Sequence, residues 1–154
     1  MDNMEQQASG LVLVVDDDEG VRRVLTRWVA DMGYTVHAAA DADSALDMMR
    51  EHRFDVALVD VRMPGHDGIW LLDQIRRLCP DTASVLATGL MEMDPMVTLR
   101  PGVVGYIVKP FNREDLAQVI ERGMVEGKRL QAERRSHPQL LSDAVLDGFV
   151  VSID

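Results

Sequence analysis

The stretch LVLVVDDDEG, Leu11 to Gly20, sets Asp16, Asp17, Asp18 and Glu19 directly behind five aliphatic side chains. Carboxylates crowded this closely repel one another and resist ionising unless a cation or hydrogen-bond donor compensates them. Three other short stretches end apolar runs on polar groups: DVALVDVRMPGHDG carries Asp60, VLATG carries Thr88, and GYIVKPF carries Lys109. Taken singly, each of these is an ordinary residue, a strand-end aspartate, a capping hydroxyl or a solvated lysine. Their chemistry depends on whether the fold gathers them.

The pattern between them says that it does. Apolar runs at Leu11–Asp16, Tyr34–Ala39, Phe54–Asp60, Ala83–Ala87 and Val103–Val108 have the length of buried strands. Between them, Val21, Val24, Leu25, Trp28, Val29 and Met32 recur at helical spacing, as do Ala42, Ala45, Leu46 and Met49, then Leu71, Leu72, Ile75 and Leu78. Strand-helix alternation at this rhythm predicts a five-stranded parallel sheet with helices on both faces. Asp41 and Asn112 are placed to cap helices, with Asp115 three residues beyond Asn112. Pro95 and Pro101 leave space for only a short fourth helix. The last helix is expected from Arg113 to about Arg135, before Pro138, with Gly123 and Gly127 weakening its middle.

In an open parallel sheet the functional crevice lies beyond the carboxyl ends of the strands. Asp16 and Asp17 end the first strand and Asp60 the third, while Thr88 follows the fourth and Lys109 the fifth, so all five project toward one edge. Three carboxylates with backbone carbonyls and waters suit Mg²⁺, which prefers octahedral oxygen coordination. The cation accounts for the crowded charge.

Composition narrows the function classes. A chain of 154 residues with 47% hydrophobic content suits one domain, or a domain with a short appendage. No apolar run approaches the roughly 20 residues that span a bilayer, and MDNMEQQASG lacks the basic and apolar regions of a signal peptide. A cytoplasmic protein without membrane association is expected. Cys79, the single cysteine, can form no internal disulfide. The net charge is −10, and from Lys128 onward four basic residues balance four acidic ones, so the excess lies before that point. Such a domain repels a phosphate backbone, which argues against direct nucleic-acid binding.

Together, VLVVDDDEGVRRVL, DVALVDVRMPGHDG, VLATG and GYIVKPF resemble the receiver domain of two-component response regulators, from about Gly10 to Gly127. The resemblance implies an α/β, flavodoxin-like doubly wound (βα)5 fold with strand order 2-1-3-4-5 and a C-terminal helical extension. It implies domains at 10–127 and 128–154, the second a helical linker and tail. It also implies phosphorylation of Asp60 by a sensor histidine kinase, a phosphotransfer protein or a small phosphodonor. Asp16, Asp17, Asp60 and the backbone carbonyl of Arg62 match the family's Mg²⁺ ligands, with Asp17 direct and Asp16 through water. Asp18 falls beyond that pair, at a helix start. Lys109 and the Thr88 hydroxyl match the groups that hold the phosphoryl oxygens, and the Lys109–Pro110 peptide is expected to be cis. An ionised carboxylate needs no general base to attack phosphorus. Gly89 leaves space for the phosphate, while Pro64, Gly65 and Gly68 shape the loop after Asp60. His66 in that loop is expected to face solvent.

Thr88 and Tyr106 match the family's switch pair, in which the hydroxyl moves toward the phosphate and the aromatic ring follows. The output face would then be the fourth helix, fifth strand and fifth helix. Met91, Met93 and Met96 mark that region as unusual, and Arg62 and Leu90 occupy positions that tune phosphoryl lifetime in receivers. A weak or conditional homodimer is expected, although a coiled coil through Leu116, Ile120, Gly123, Gly127 and Leu130 would put two glycines in its seam. The 27 residues after Gly127 are too few for an output domain. Both a stand-alone receiver and a receiver with its linker remain open. Two alternatives compete. Haloacid-dehalogenase-like phosphatases would use Asp16 as nucleophile with Asp18 in a DxD pair, but Gly20 falls one place late and Asp60 would have no role. A phosphorylation-independent binding module would fit a degenerate site, yet this one lacks nothing.

Overall fold

The computed structural model describes residues 10–89 and 100–136. Its elements in chain order are β1 (Leu11–Val15), α1 (Glu19–Asp31), β2 (Thr35–Ala39), α2 (Ala42–Glu51) and β3 (Val56–Asp60). They continue as α3 (Gly68–Leu78), β4 (Ala83–Gly89), β5 (Val103–Lys109) and α4 (Arg113–Ser136). The five strands are parallel in the order β2-β1-β3-β4-β5, the doubly wound arrangement expected.

Helix starts follow from short polar side chains that accept the first free backbone N–H groups. Asp18 accepts from Val21, Asp41 from Ser44, Asp67 from Trp70 and Asn112 from Asp115, at 2.7–3.0 Å. Each such cap contributes about 1 kcal/mol. Asp18, Asp41 and Asn112 stand where the sequence suggests; Asp67 is an addition. Strand β4 runs two residues beyond Ala87 because Thr88 and Gly89 pair with Val108 and Lys109. The Lys109–Pro110 peptide is cis. The expected short helix between Pro95 and Pro101, together with Leu90, Met91, Met93 and Met96, lies outside the described residues.

The sheet is covered on both faces. Leu13, Val15, Ala57, Val59 and Leu86 pack with Ala45, Leu46, Leu71 and Ile75 of α2 and α3. On the other face Val12, Val14, Leu58 and Val85 meet Leu25 and Val29 of α1, and Leu116, Ile120 and Met124 of α4. Each fully buried aliphatic side chain contributes about 1.5–3 kcal/mol relative to exposure. Among the described residues no helix is long and apolar enough to cross a membrane.

The glycines of the last helix have a packing role. A Cβ on Gly123 would lie 3.0 Å from a methyl of Val56, and one on Gly127 only 2.6 Å from the carbonyl oxygen of Asp55. These residues let α4 lie directly on β3. With Leu116 and Ile120 fully buried on the same side, that stripe is occupied by the chain's own sheet. A coiled coil through it is therefore closed to a second copy.

Candidate functional site

Because all strands are parallel, their carboxyl ends share one edge of the sheet, and loops there hold the polar residues. Asp16 follows β1, Asp60 ends β3, Thr88 lies one residue from the end of β4, and Lys109 ends β5. Asp16, Asp60 and Thr88 are buried, at 1%, 8% and 3% exposure, whereas Asp17 is exposed. One carboxylate oxygen from each of Asp16, Asp17 and Asp60 lies within 4.8 Å of the others. Asp16, Asp17, Asp60 and Lys109 therefore converge, and Thr88 lies at the same edge of the sheet, on the strand beside Asp60.

Asp16 is held firmly. Its carboxylate accepts the Asp18 backbone N–H at 2.9 Å and the Lys109 ammonium at 3.1 Å. Its carbonyl oxygen accepts from the Arg22 guanidinium at 2.8 Å, a contact that ties α1 to the site. Sequence reasoning missed Arg22, whose only signal is its place one turn into the helix that follows the acidic run. Lys109 also donates to Asp60 at 3.2 Å. One ammonium thus serves two buried carboxylates, with a third beside them.

The electrostatics follow from that shortage. Burial and then the neighbouring Asp16 charge push the Asp60 carboxyl up to about 6, against the opposing pull of Lys109 and the Arg62 backbone N–H. Burial alone would lower the Lys109 ammonium, but its hydrogen bonds and charge contacts with Asp16 and Asp60 outweigh that and raise it. The donor set is all oxygen and short of positive charge, which fits a hard divalent cation such as Mg²⁺.

The loop after Asp60 is drawn tight. A Cβ on Gly68 would fall 2.3 Å from the Asp60 carbonyl oxygen, and the Gly68 N–H donates to Val61 at 3.0 Å. Only glycine permits that approach. His66 is exposed as expected, yet its ring stacks on Trp70 with centroids 3.6 Å apart, and Nδ1 lies 3.3 Å from Asp43. The Thr88 hydroxyl donates to the Gly89 carbonyl at 3.2 Å. Tyr106 is 47% exposed and, by strand register, shares a sheet face with Leu86 and Thr88. Beside Lys109, an apolar groove of about 530 Å³ runs along α1, lined by Val21, Val24, Leu25, Trp28, Pro110 and Phe111.

Known proteins resemble this chain in sequence and fold. The Regulatory protein AtoC of Escherichia coli K12 is 32% identical over 142 residues, covering 92% of this chain and 31% of AtoC. The chain spans less than a third of the length of the curated relatives it matches. A CheY-like receiver domain from Methanospirillum hungatei superposes with a TM-score of 0.72 at 28% identity, over 78% of this chain and 97% of that one. The response regulator TrrA from Thermotoga maritima, solved in complex with Mg²⁺-BeF, gives 0.68 at 25% identity, over 74% of this chain and 98% of TrrA. Residues 12–121 match the response regulator receiver domain. With that match over residues 12–121 and the strand order in agreement, the chain belongs to the response regulator receiver family.

Proposed function

We propose that this chain is a phosphoacceptor signalling module in which Asp60 receives a phosphoryl group from a histidine kinase, a phosphotransfer protein or a small phosphodonor. An Asp60 oxygen attacks phosphorus, the bond from phosphorus to the donor nitrogen or oxygen breaks, and the leaving group departs with that electron pair. The product is a mixed anhydride on Asp60. The position of Asp60 carries this reading: it is a buried carboxylate 3.2 Å from Lys109, beside two further carboxylates.

Asp16, Asp17, Asp60 and the Arg62 carbonyl would hold Mg²⁺, which when bound offsets the charge of the carboxylates and of the incoming phosphoryl oxygens. Lys109 compensates an equatorial oxygen, and the Thr88 hydroxyl turns from Gly89 to another. Asp16, fixed by Asp18 and Arg22, keeps Lys109 in place before the donor arrives. The apolar groove along α1 opens beside Lys109 and suits a donor helix that presents a phosphohistidine.

The output follows from the added charge. As Thr88 swings toward the phosphate, Tyr106 moves in from its half-exposed position, and the surface around β5 changes. That surface engages an output protein or domain. In this reading residues 10–127 form the receiver and 128–154 a helical extension; the chain works in the cytoplasm, binds no nucleic acid itself and assists only its own phosphorylation and dephosphorylation.

The test is intact mass after incubation with acetyl phosphate and Mg²⁺. Wild type gains one phosphoryl group, and neither Asp60→Asn nor chelated wild type does. A gain that survives Asp60→Asn would point to Asp16 as nucleophile, and no gain from either acetyl phosphate or a kinase would favour a phosphorylation-independent module.

A further inference from the structure

Asp55 stands at the opposite end of β3 from Asp60, just before the strand begins, and is only 9% exposed. Its backbone is fully engaged: its N–H donates to the Leu11 carbonyl at 2.9 Å, and its carbonyl accepts from Ala83 at 3.0 Å. Its carboxylate is engaged too. One oxygen accepts the Leu11 N–H at 2.9 Å, and the other accepts Nε2 of Gln131 at 3.0 Å. Gln131 lies on α4, ten residues beyond the stretch that matches the receiver domain. It lies one turn past Gly127, the residue whose missing side chain lets the helix touch the Asp55 carbonyl.

We infer that Gln131 and Asp55 form a latch that clamps the final turns of α4 against the edge of the sheet remote from Asp60, fixing the direction in which the chain leaves the domain. The arrangement fits this role in three ways. First, the neighbouring contacts cannot do it alone. Among the described residues beyond Met124 the helix buries no large apolar side chain in the core, and Val125 is 63% exposed. Second, among the described residues the ion pairs of these turns, Arg129 with Glu126 and Glu133, lie within the helix and do not hold it to the sheet. Third, the acceptor is a buried carboxylate, and a hydrogen bond to a charged group is stronger than one between neutral partners. The latch ties the final turns of α4 to the residue just before the strand that carries Asp60.

The test is hydrogen exchange of the full chain in Mg²⁺-free buffer without phosphodonor, read at the amides of residues 128–136 with residues 116–124 as internal control. Intrinsic helix propensity ranks alanine above glutamine, so without a latch Gln131→Ala should slow exchange or leave it unchanged. The latch predicts that it accelerates exchange about tenfold in 128–136 and not in 116–124. Gln131→Glu, which sets a second carboxylate against Asp55, accelerates it further. Gln131→Lys supplies a donor of opposite charge and restores wild-type protection. Unchanged or slower exchange in the alanine variant would overturn the latch, as would a lysine variant as loose as alanine.

Discussion

A buried aspartate stands on either side of the β3 run, Asp55 just before it begins and Asp60 at its end, and the two could hardly be treated more differently. Asp55 gives each of its oxygens to one amide donor, Leu11 N–H and Gln131 Nε2. Asp60, as deeply buried, shares one ammonium with Asp16 and sits within 4.8 Å of two other carboxylates. Burial alone therefore does not make a carboxylate reactive. What separates the ends is their partners: two neutral donors serve Asp55, whereas burial and then the neighbouring Asp16 charge push Asp60 up to about 6. The crowded end is the one that the proposed phosphoryl chemistry would use.

Removing the cation should break the contrast most severely. Lys109→Ala leaves Asp60 nucleophilic but strips the fixed positive charge from the phosphoryl oxygens. The initial rate of phosphoryl incorporation from acetyl phosphate, followed by intact mass, should fall by about 100-fold or more. Asp55→Asn should leave that rate within about twofold, because nothing at that end touches the reacting group.

The same substitution at the two ends should then change stability in opposite directions. Asp60 has a folded-state value near 6 against an ordinary one of 3.8, so the folded protein holds the proton more tightly than the unfolded chain. Its contribution is intact below about pH 4 and is lost as pH rises through about 6. Asp60→Asn removes that loss. In metal-free urea unfolding at pH 8 the variant should be more stable than wild type by on the order of 2 kcal/mol, the gap closing as pH falls to 4. Asp55→Asn discards a satisfied charge-assisted acceptor and should be less stable by about 1 kcal/mol at pH 8. Equal signs at the two positions would refute the distinction drawn between them.

Much of the charged end is legible from sequence, because an aspartate or lysine at the end of an aliphatic run has only one edge of a parallel sheet to occupy. Asp16, Asp17, Asp60 and Lys109 converge for that reason, with Thr88 at the same edge. The caps at Asp41 and Asn112 are equally local, each accepting an N–H three residues ahead. What sequence hides is long-range and polar. Gly123 and Gly127 read as flaws in a helix, and only the register of α4 on β3 shows that they are points of contact. Gln131 meets Asp55 across 76 residues, and Arg22 grips a backbone carbonyl; neither has a periodicity to betray it. Thr88 and Gly89 extend β4 because β5 pairs with them, a fact about a neighbour rather than about their own propensity.

The most direct test of the central claim is to locate the anhydride. Borohydride reduces an acyl phosphate to an alcohol, so treatment of the protein after acetyl phosphate and Mg²⁺, followed by peptide mass mapping, converts the phosphorylated aspartate into homoserine. The account predicts homoserine at position 60 and at neither 16 nor 55. Homoserine at position 16, or at no position in protein that has gained the phosphoryl mass, would contradict it.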